Sequence, residues 1–324
     1  MIESIPNAKD LEIKPAFEER YRLLLGKDYD TFMKYSTSYI RKAIRVNTLK
    51  ITVPELVKRL EDRWTLEPVP WCKEGFWIRH KGKGNEERFD VGNLVEHMLG
   101  FIYVQDPASM IPPLVLDPNP GDLVLDLCAA PGSKTTQLAM YMQNKGVIVA
   151  NDIKVDRLKP LGLNLQRCGV SNAIISQMYG QRFSRMEQKF DKVLVDGPCT
   201  GTGTIRRSLK TLRMWSPNMV KKLAKEQKRL VESGFSVLKK GGTLVYSTCT
   251  QEPEENEGVV SWLLEKYPDA DLVDIKLNIQ SSKPILEFAG VKFDSQVSKC
   301  LRIYPQDNDS EGFFVAKIRK TEEK

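Results

Sequence analysis

The chain has 324 residues, 49 Lys and Arg against 42 Asp and Glu, a net charge of +7, and 41% hydrophobic residues. That length supports more than one average domain. No apolar stretch approaches the ~20 residues of a membrane helix, and the opening "MIESIPNAKDLEIKP" lacks the apolar middle of a signal peptide, so a cytoplasmic protein that does not engage a membrane is expected. Six scattered cysteines without a C-x-x-C pair, and only two histidines, argue against structural zinc; no metal site is expected, and a cytosolic chain of this size does not need disulfides.

Two prolines and a helical run come first. "KAIRVNTLK", a helix from about Pro54 to Arg63 and "GFWIRH" then follow in β-α-β order, which predicts a small separate module. "QDPASMIPPLVLDPNPG" is proline-rich and reads as a connection. From Gly121 the pattern alternates. Strands are expected at Asp122–Leu127, Val147–Asp152, Ala173–Met178, Asp191–Asp196 and Thr243–Tyr246. Helices are expected at Ser133–Asn144, Val155–Cys168 with Gly169 as stop signal, Pro217–Leu238 and Pro253–Lys266. This alternation argues for a parallel sheet covered on both faces. Two strand-like runs in the tail, Leu301–Tyr304 and Gly312–Ile318, predict a hairpin closing one edge. The fold class is therefore α/β, a mostly parallel Rossmann-like sheet with a C-terminal antiparallel hairpin, preceded by a small α+β domain.

Such a sheet binds its ligand beyond the carboxyl ends of its strands, near a topological switch point. Four strand ends carry polar residues: Asp126 to Thr135, Asn151-Asp152, Asp196 to Cys199, and Ser247 to Cys249. An Asp or Asn after a strand usually only caps the next helix; four together are harder to dismiss. "PGSKT" is not a phosphate loop, which needs Gly-Lys-Ser/Thr and an earlier glycine, and G-x-G-x-x-G is absent. A small-residue loop, Cys128 to Gly132, instead opens a helix with free backbone N–H groups, suited to a carboxylate or a phosphate. Asp152 is placed to accept hydrogen bonds from two ribose hydroxyls. S-adenosylmethionine fits both features; a nicotinamide cofactor stays possible on fold grounds, without its pyrophosphate loop.

A cysteine in a strand is most often a small buried residue, and Cys168 and Cys300 fall in that class. Cys199 and Cys249 lie on strand-end turns. A reactive thiol works as thiolate and needs a lowered pKa or a base. The basic run over 206–240 would help it; Glu252, Glu254 and Glu255 would oppose it, though they more readily serve a helix start behind Pro253. The same run, with Arg45 and Lys50, could hold phosphates. Trp215 is either a stacking surface or a buried helix-start residue.

"DLCAAPGSKT", "VDGPCTGTG" and "YSTCTQEPEENE" occur in order and resemble the Sun-type RNA cytosine-5 methyltransferases, over about residues 100–320 including "RIYPQDNDSEGFFVAKI". The part before them resembles that family's RNA-recognition-like domain. The resemblance implies domains at 1–110 and 111–324 and methyl transfer from S-adenosylmethionine to carbon 5 of cytosine in RNA, as in an archaeal-type tRNA enzyme, acting as a monomer. It assigns Cys249 as nucleophile, Asp196 as the residue that polarises the base, and Cys199 as an aid to release. It places the cofactor on Cys128, Ala129, Ala130, Pro131, Gly132, Ser133, Lys134, Asp152, Arg157 and Asp196. Where many members have an acidic residue, this chain has Tyr179, which is expected to meet the adenine instead. The same chemistry on ribosomal RNA, or a scaffold that binds RNA without catalysis, are the alternatives.

Overall fold

The computed structural model describes residues 3–6, 8, 12–82 and 90–322. Helices α1 (Pro15–Leu25) and α2 (Tyr29–Ser36) open it, followed by β1 (Ala43–Val46), α3 (Val53–Leu60), β2 (Trp64–Val69), β3 (Cys72–His80), a short α4 (Val95–Met98) and β4 (Ile102–Val104). The four strands form an antiparallel sheet in the order β2-β3-β1-β4. Helix α3 starts where Thr52 and Glu55 make a capping box and Pro54 sits in the first turn. Its Leu56 and Leu60 pack on Ile44, Val46 and Ile78. The sequence pointed to β1 and β3; β2 and β4 complete the sheet.

The second unit runs α5 (Ile111–Leu116), β5 (Leu123–Asp126), α6 (Ser133–Tyr141), β6 (Val147–Asn151), α7 (Val155–Cys168), β7 (Ala173–Ser176), β8 (Phe190–Asp196), α8 (Lys210–Met214), α9 (Pro217–Ser236), β9 (Leu238–Thr248), α10 (Glu257–Lys266), β10 (Ala270–Val273), a two-residue pair β11 (Glu287–Phe288) and β12 (Val291–Lys292), β13 (Leu301–Ile303), α11 (Pro305–Asn308) and β14 (Phe313–Lys320). The main sheet has the order β10-β14-β9-β8-β5-β6-β7. Strands β5 to β9 are parallel, and β14 and β10 add antiparallel. The near-continuous apolar strands are those of a sheet buried on both faces. Strand order reverses between β5 and β8, so the loops leaving these two strands face one crevice.

Three expectations need correction. The proline-rich segment is no free connection. Residue 111 opens α5, whose Ile111, Pro112, Pro113, Val115 and Leu116 are buried under β8, β9 and β14. The tail hairpin does not simply close an edge: β14 inserts between β9 and β10, with β13 beside its first half. Helix α10 begins at Glu257 rather than Pro253. Most of the residues ahead of it are buried, and Asn256 ties them back to the end of β9: its Nδ2 donates to Thr250 O at 3.0 Å, and its Oδ1 accepts from Thr248 Oγ1 at 2.6 Å.

Helices α1 and α2 belong physically to the second unit. Phe17, Tyr21 and Phe32, each fully buried, pack with Ile205, Leu212, Trp215, Val220 and Tyr304. Phe17 and Trp215 meet edge to face at 5.2 Å. Burying each large side chain is worth roughly 1.5–3 kcal/mol, which outweighs ordinary fraying of a terminal helix. Trp215 is therefore core, the second of its two expected roles.

Candidate active site

The site is built at the switch point. Asp126 ends β5, and the chain turns through Leu127–Gly132 into α6. Gly132 has φ +103°, and an added Cβ would meet Leu161 Cδ1 at 3.0 Å. Only glycine takes that backbone without strain, so it lets the loop enter the helix. Asn151 at the end of β6 braces the neighbouring ends: its Nδ2 donates to Leu127 O at 3.1 Å and Met178 O at 3.0 Å, and its Oδ1 accepts from Met178 N at 2.9 Å.

Asp152 follows. Its Oδ1 accepts from Lys154 N at 3.0 Å. Its Oδ2 is buried and makes no hydrogen bond among the described residues, although Arg157 Nη1 stands 3.2 Å away as a counter-charge. A buried carboxylate oxygen with spare accepting capacity fits a ligand bearing hydroxyls. Arg157 also donates to Ala130 O, tying Asp152 to the loop. Tyr179, after β7, is 56% exposed, with Arg182 5.5 Å over its ring.

Lys134 projects from the first turn of α6. Its Nζ donates to Asp196 Oδ2 at 2.7 Å and Ser109 Oγ at 3.2 Å, and lies 5.3 Å over the Phe313 ring. Asp196 Oδ1 accepts from Ser247 Oγ at 2.7 Å. Asp196 and Ser247 are register partners across β8 and β9. Each chain then turns, and three and two residues on the sulfurs of Cys199 and Cys249 come within 3.2 Å. The two turns are tied together. Gly203 N donates to Cys249 O and Gly312 N to Gly203 O, both at 2.9 Å.

The six thiols separate electrostatically. Cys199 and Cys249 share one hydrogen bond that either sulfur can donate; it favours the thiolate at Cys249, whose thiol lies below its ordinary value, with Lys134 helping while burial, Asp196 and Glu255 oppose. The same shared hydrogen bond, then burial, raises Cys199 well above its ordinary value. Burial raises the other four: Cys72 to about 11, and Cys128, Cys168 and Cys300 upward as well. Cys249 alone is poised toward thiolate. Cys128 lies in the loop with an inert thiol. Asp126, beneath it, is pushed up to about 7, chiefly by burial, although Thr135 Oγ1 donates to it at 2.7 Å.

The crevice thus collects the 128–134 loop, Asp152, Arg157, Asp196, Cys199 and Cys249. The basic run contributes less than expected. Arg206 is buried against Asp309 Oδ1 at 2.9 Å and Tyr39 O at 2.5 Å, and Arg207 pairs with Glu311. Arg45 is no phosphate ligand either. It is 1% exposed and donates to Ser133 O at 2.8 Å, Thr136 Oγ1 at 2.8 Å, Gln137 Oε1 at 3.1 Å and Gln105 Oε1. Lys50 Nζ donates to Leu99 O at 3.0 Å and Arg167 O at 2.8 Å. The carboxylates after Cys249 do not cap α10. Glu252 Oε1 accepts from Tyr21 OH and Trp215 Nε1, each at 2.8 Å, and its Oε2 from Arg20 Nε at 2.7 Å. Ser109 and Phe313 were missed by sequence reasoning, and Ser247 was seen only as part of a polar strand end; Ser109 lies in the supposed connection, and no local signal marks it.

Among the described residues no cluster of His, Cys, Asp or Glu has the makings of a metal site, and no helix is long and apolar enough to cross a membrane.

The family described as 16S rRNA methyltransferase RsmB/F matches residues 113–319, and that described as the N-terminal domain of 16S rRNA methyltransferase RsmF matches residues 13–107. A tRNA (cytosine(49)-C(5))-methyltransferase of Pyrococcus abyssi is 47% identical over 312 residues, 95% of this chain and 97% of its own length. The ribosomal RNA small subunit methyltransferase F of Vibrio parahaemolyticus is 43% identical over 95% of this chain but only 63% of its own length. A methyltransferase homolog from Pyrococcus horikoshii superposes with a TM-score of 0.84 at 39% identity, covering 98% of this chain and 99% of that one. NSun6 from the same organism, solved with SFG, superposes with a TM-score of 0.83 at 25% identity, covering 96% and 99%. The chain belongs to the Sun-type RsmB/F family of S-adenosylmethionine-dependent RNA methyltransferases.

Proposed function

We propose that the protein methylates carbon 5 of a cytosine in tRNA through a covalent bond between Cys249 and the base. The observation that carries the chemistry is the thiol pair: two sulfurs 3.2 Å apart at the ends of adjacent strands, sharing a hydrogen bond that favours the thiolate at Cys249. The Pyrococcus relative, matched almost end to end, favours tRNA; the ribosomal relatives are matched over less than two thirds of their length.

Carbon 5 of cytosine is a poor nucleophile. The Cys249 thiolate adds to carbon 6, and the displaced π electrons make carbon 5 an enamine carbon. Asp196 hydrogen-bonds the edge of the base and helps to protonate or polarise its ring nitrogen, where the displaced electrons settle, with Lys134 2.7 Å away as its counter-charge. S-adenosylmethionine, when bound, supplies an electrophilic methyl group; the 128–134 loop and Asp152 would hold it, with Arg157 fixing Asp152 and Tyr179 available to the adenine. Release requires a base to take the carbon 5 proton, whose bonding pair re-forms the double bond between carbons 5 and 6 and expels the Cys249 sulfur as thiolate. Cys199, beside that sulfur, assists this step. The base must first leave its stack, at a cost of a few kcal/mol. The exposed Lys221, Lys222, Lys225 and Arg229 of α9 offer charge to the phosphates around it. The test is bisulfite sequencing of tRNA and rRNA incubated with the enzyme and cofactor. New 5-methylcytosine confined to tRNA is expected; methylation of rRNA alone would overturn the substrate assignment.

A further inference from the structure

We infer that Glu255 is a positioning residue that clamps the two cysteine turns together and thereby holds the thiols in contact. This rests on the covalent mechanism above but concerns a residue six positions past the nucleophile. The Glu255 side chain reaches the turn that follows β8. Its Oε1 accepts from Thr200 Oγ1 at 2.5 Å. Its Oε2 accepts from Thr200 N at 3.0 Å and from Gln227 Nε2 at 2.8 Å. Thr200 follows Cys199 directly, and its hydroxyl also lies 2.6 Å from that of Thr250, which follows Cys249 directly. Gln227, from α9, donates as well to Pro198 O at 2.8 Å. The residues on both sides of Cys199, and the residue after Cys249, thus converge on one carboxylate. The backbone of Glu255 is held too, its carbonyl accepting from Tyr246 OH at 2.5 Å.

This carboxylate has no cationic partner among the described residues. Burial pushes it up to about 7, against the hydrogen bonds it receives. A buried carboxylate without a cation is a costly way to join two turns. Here it does a second thing: ionised, it opposes thiolate formation at Cys249 and Cys199. The groups facing this cluster are Glu252 and Tyr246 on the side of Glu255, and Asp196 and Lys134 on the side of Cys249. Protonation of Glu255 keeps the clamp closed, because a carboxylic acid still accepts from Thr200 N and Gln227 and can donate to Thr200 Oγ1. It also removes the opposing charge.

Glu255→Gln and Glu255→Ala separate the two effects in the intact chain. An amide can accept from Thr200 N and Gln227 and donate to Thr200 Oγ1, so Glu255→Gln preserves the clamp while deleting the charge. Iodoacetamide labelling of Cys249, resolved by mass spectrometry across pH, should reach its midpoint at lower pH in Glu255→Gln than in the wild type. Glu255→Ala leaves two buried donors unpaired and should lower kcat about 10- to 100-fold without changing S-adenosylmethionine affinity. Wild-type turnover by Glu255→Ala overturns the clamp, and an unshifted labelling profile in Glu255→Gln overturns its opposition to the Cys249 thiolate. If Glu255→Ala does not fold, Thr200→Val, which removes the hydroxyl that joins Glu255 to Thr250, takes its place in the turnover assay, and wild-type turnover there overturns the clamp. Labelling needs no RNA, so a failed catalytic assignment of Cys249 and a failed role for Glu255 give different results.

Discussion

The sulfurs of Cys199 and Cys249 lie 3.2 Å apart at the ends of adjacent parallel strands, one thiol donating toward the other. Shared this way, the proton makes the two residues unequal, and their substitutions should fail differently. Cys249→Ala should abolish methyl transfer, a loss on the order of 10⁴-fold or more. Cys199→Ala should still attack and transfer but release slowly, so a covalent protein–RNA adduct accumulates and runs as a shifted band on a denaturing gel. The reverse pattern, an adduct with Cys249→Ala, would exchange the two roles.

Gly203 is where backbone geometry sets the thiol spacing. A Cβ there would meet Gly312 O at 2.3 Å and Cys249 O at 2.8 Å, and both neighbours are backbone and cannot rotate away. Gly203→Ala should therefore displace the Cys249 turn at a cost of about 1–3 kcal/mol. Single-turnover methylation should slow while S-adenosylmethionine binding, proposed above at the ends of β5 and β6, is kept. Equal single-turnover rates for variant and wild type would show that the turn tolerates the shift.

The parallel strands, the helix Val155–Cys168 with its Gly169 stop, and the three motif turns were legible in the sequence because each is written locally: an apolar run, a period, a glycine. What escaped depends on contacts far apart in the chain. Glu252 looked like a helix-start carboxylate behind Pro253, but its partners Arg20 and Tyr21 lie more than 200 residues away. Arg45 looked like a phosphate ligand because sequence shows charge and not exposure. Ser247 lies inside the YSTC motif, yet only the β8–β9 register shows that it holds Asp196.

Arg45 links the small sheet to the first turn of α6. Its four acceptors lie on β4's exit and on α6, one of them the carbonyl of Ser133, the first residue of that helix. Arg45→Ala leaves those acceptors without a charged donor in a buried place, a loss on the order of 1.5–3 kcal/mol. The urea midpoint should fall, and S-adenosylmethionine affinity should weaken with the loop. Arg45→Lys should not restore either, since one ammonium cannot reach the same spread of acceptors. A midpoint unchanged in Arg45→Ala would contradict this account.

Stability should fall as pH rises from about 4 to 7. Asp126 and Glu255 are each raised to about 7 and Asp106 to about 6, all chiefly by burial. Between the ordinary carboxylate values and these raised ones, the folded chain holds protons that the unfolded chain has already lost. With more protons bound in the folded state, the slope of unfolding free energy against pH is negative. The stabilisation is complete below about pH 4 for these groups and gone above about 7. His97, lowered by burial and Arg167, works in the opposite sense below its ordinary value but is a single, partly exposed group. Thermal melts at fixed ionic strength should thus give a higher midpoint at pH 5.5 than at pH 8. Asp126→Asn, which keeps an acceptor for Thr135 and cannot ionise, should flatten that dependence. A midpoint that rises steadily from pH 5.5 to 8 in the wild type would mean that these carboxyl groups are ionised in the folded protein.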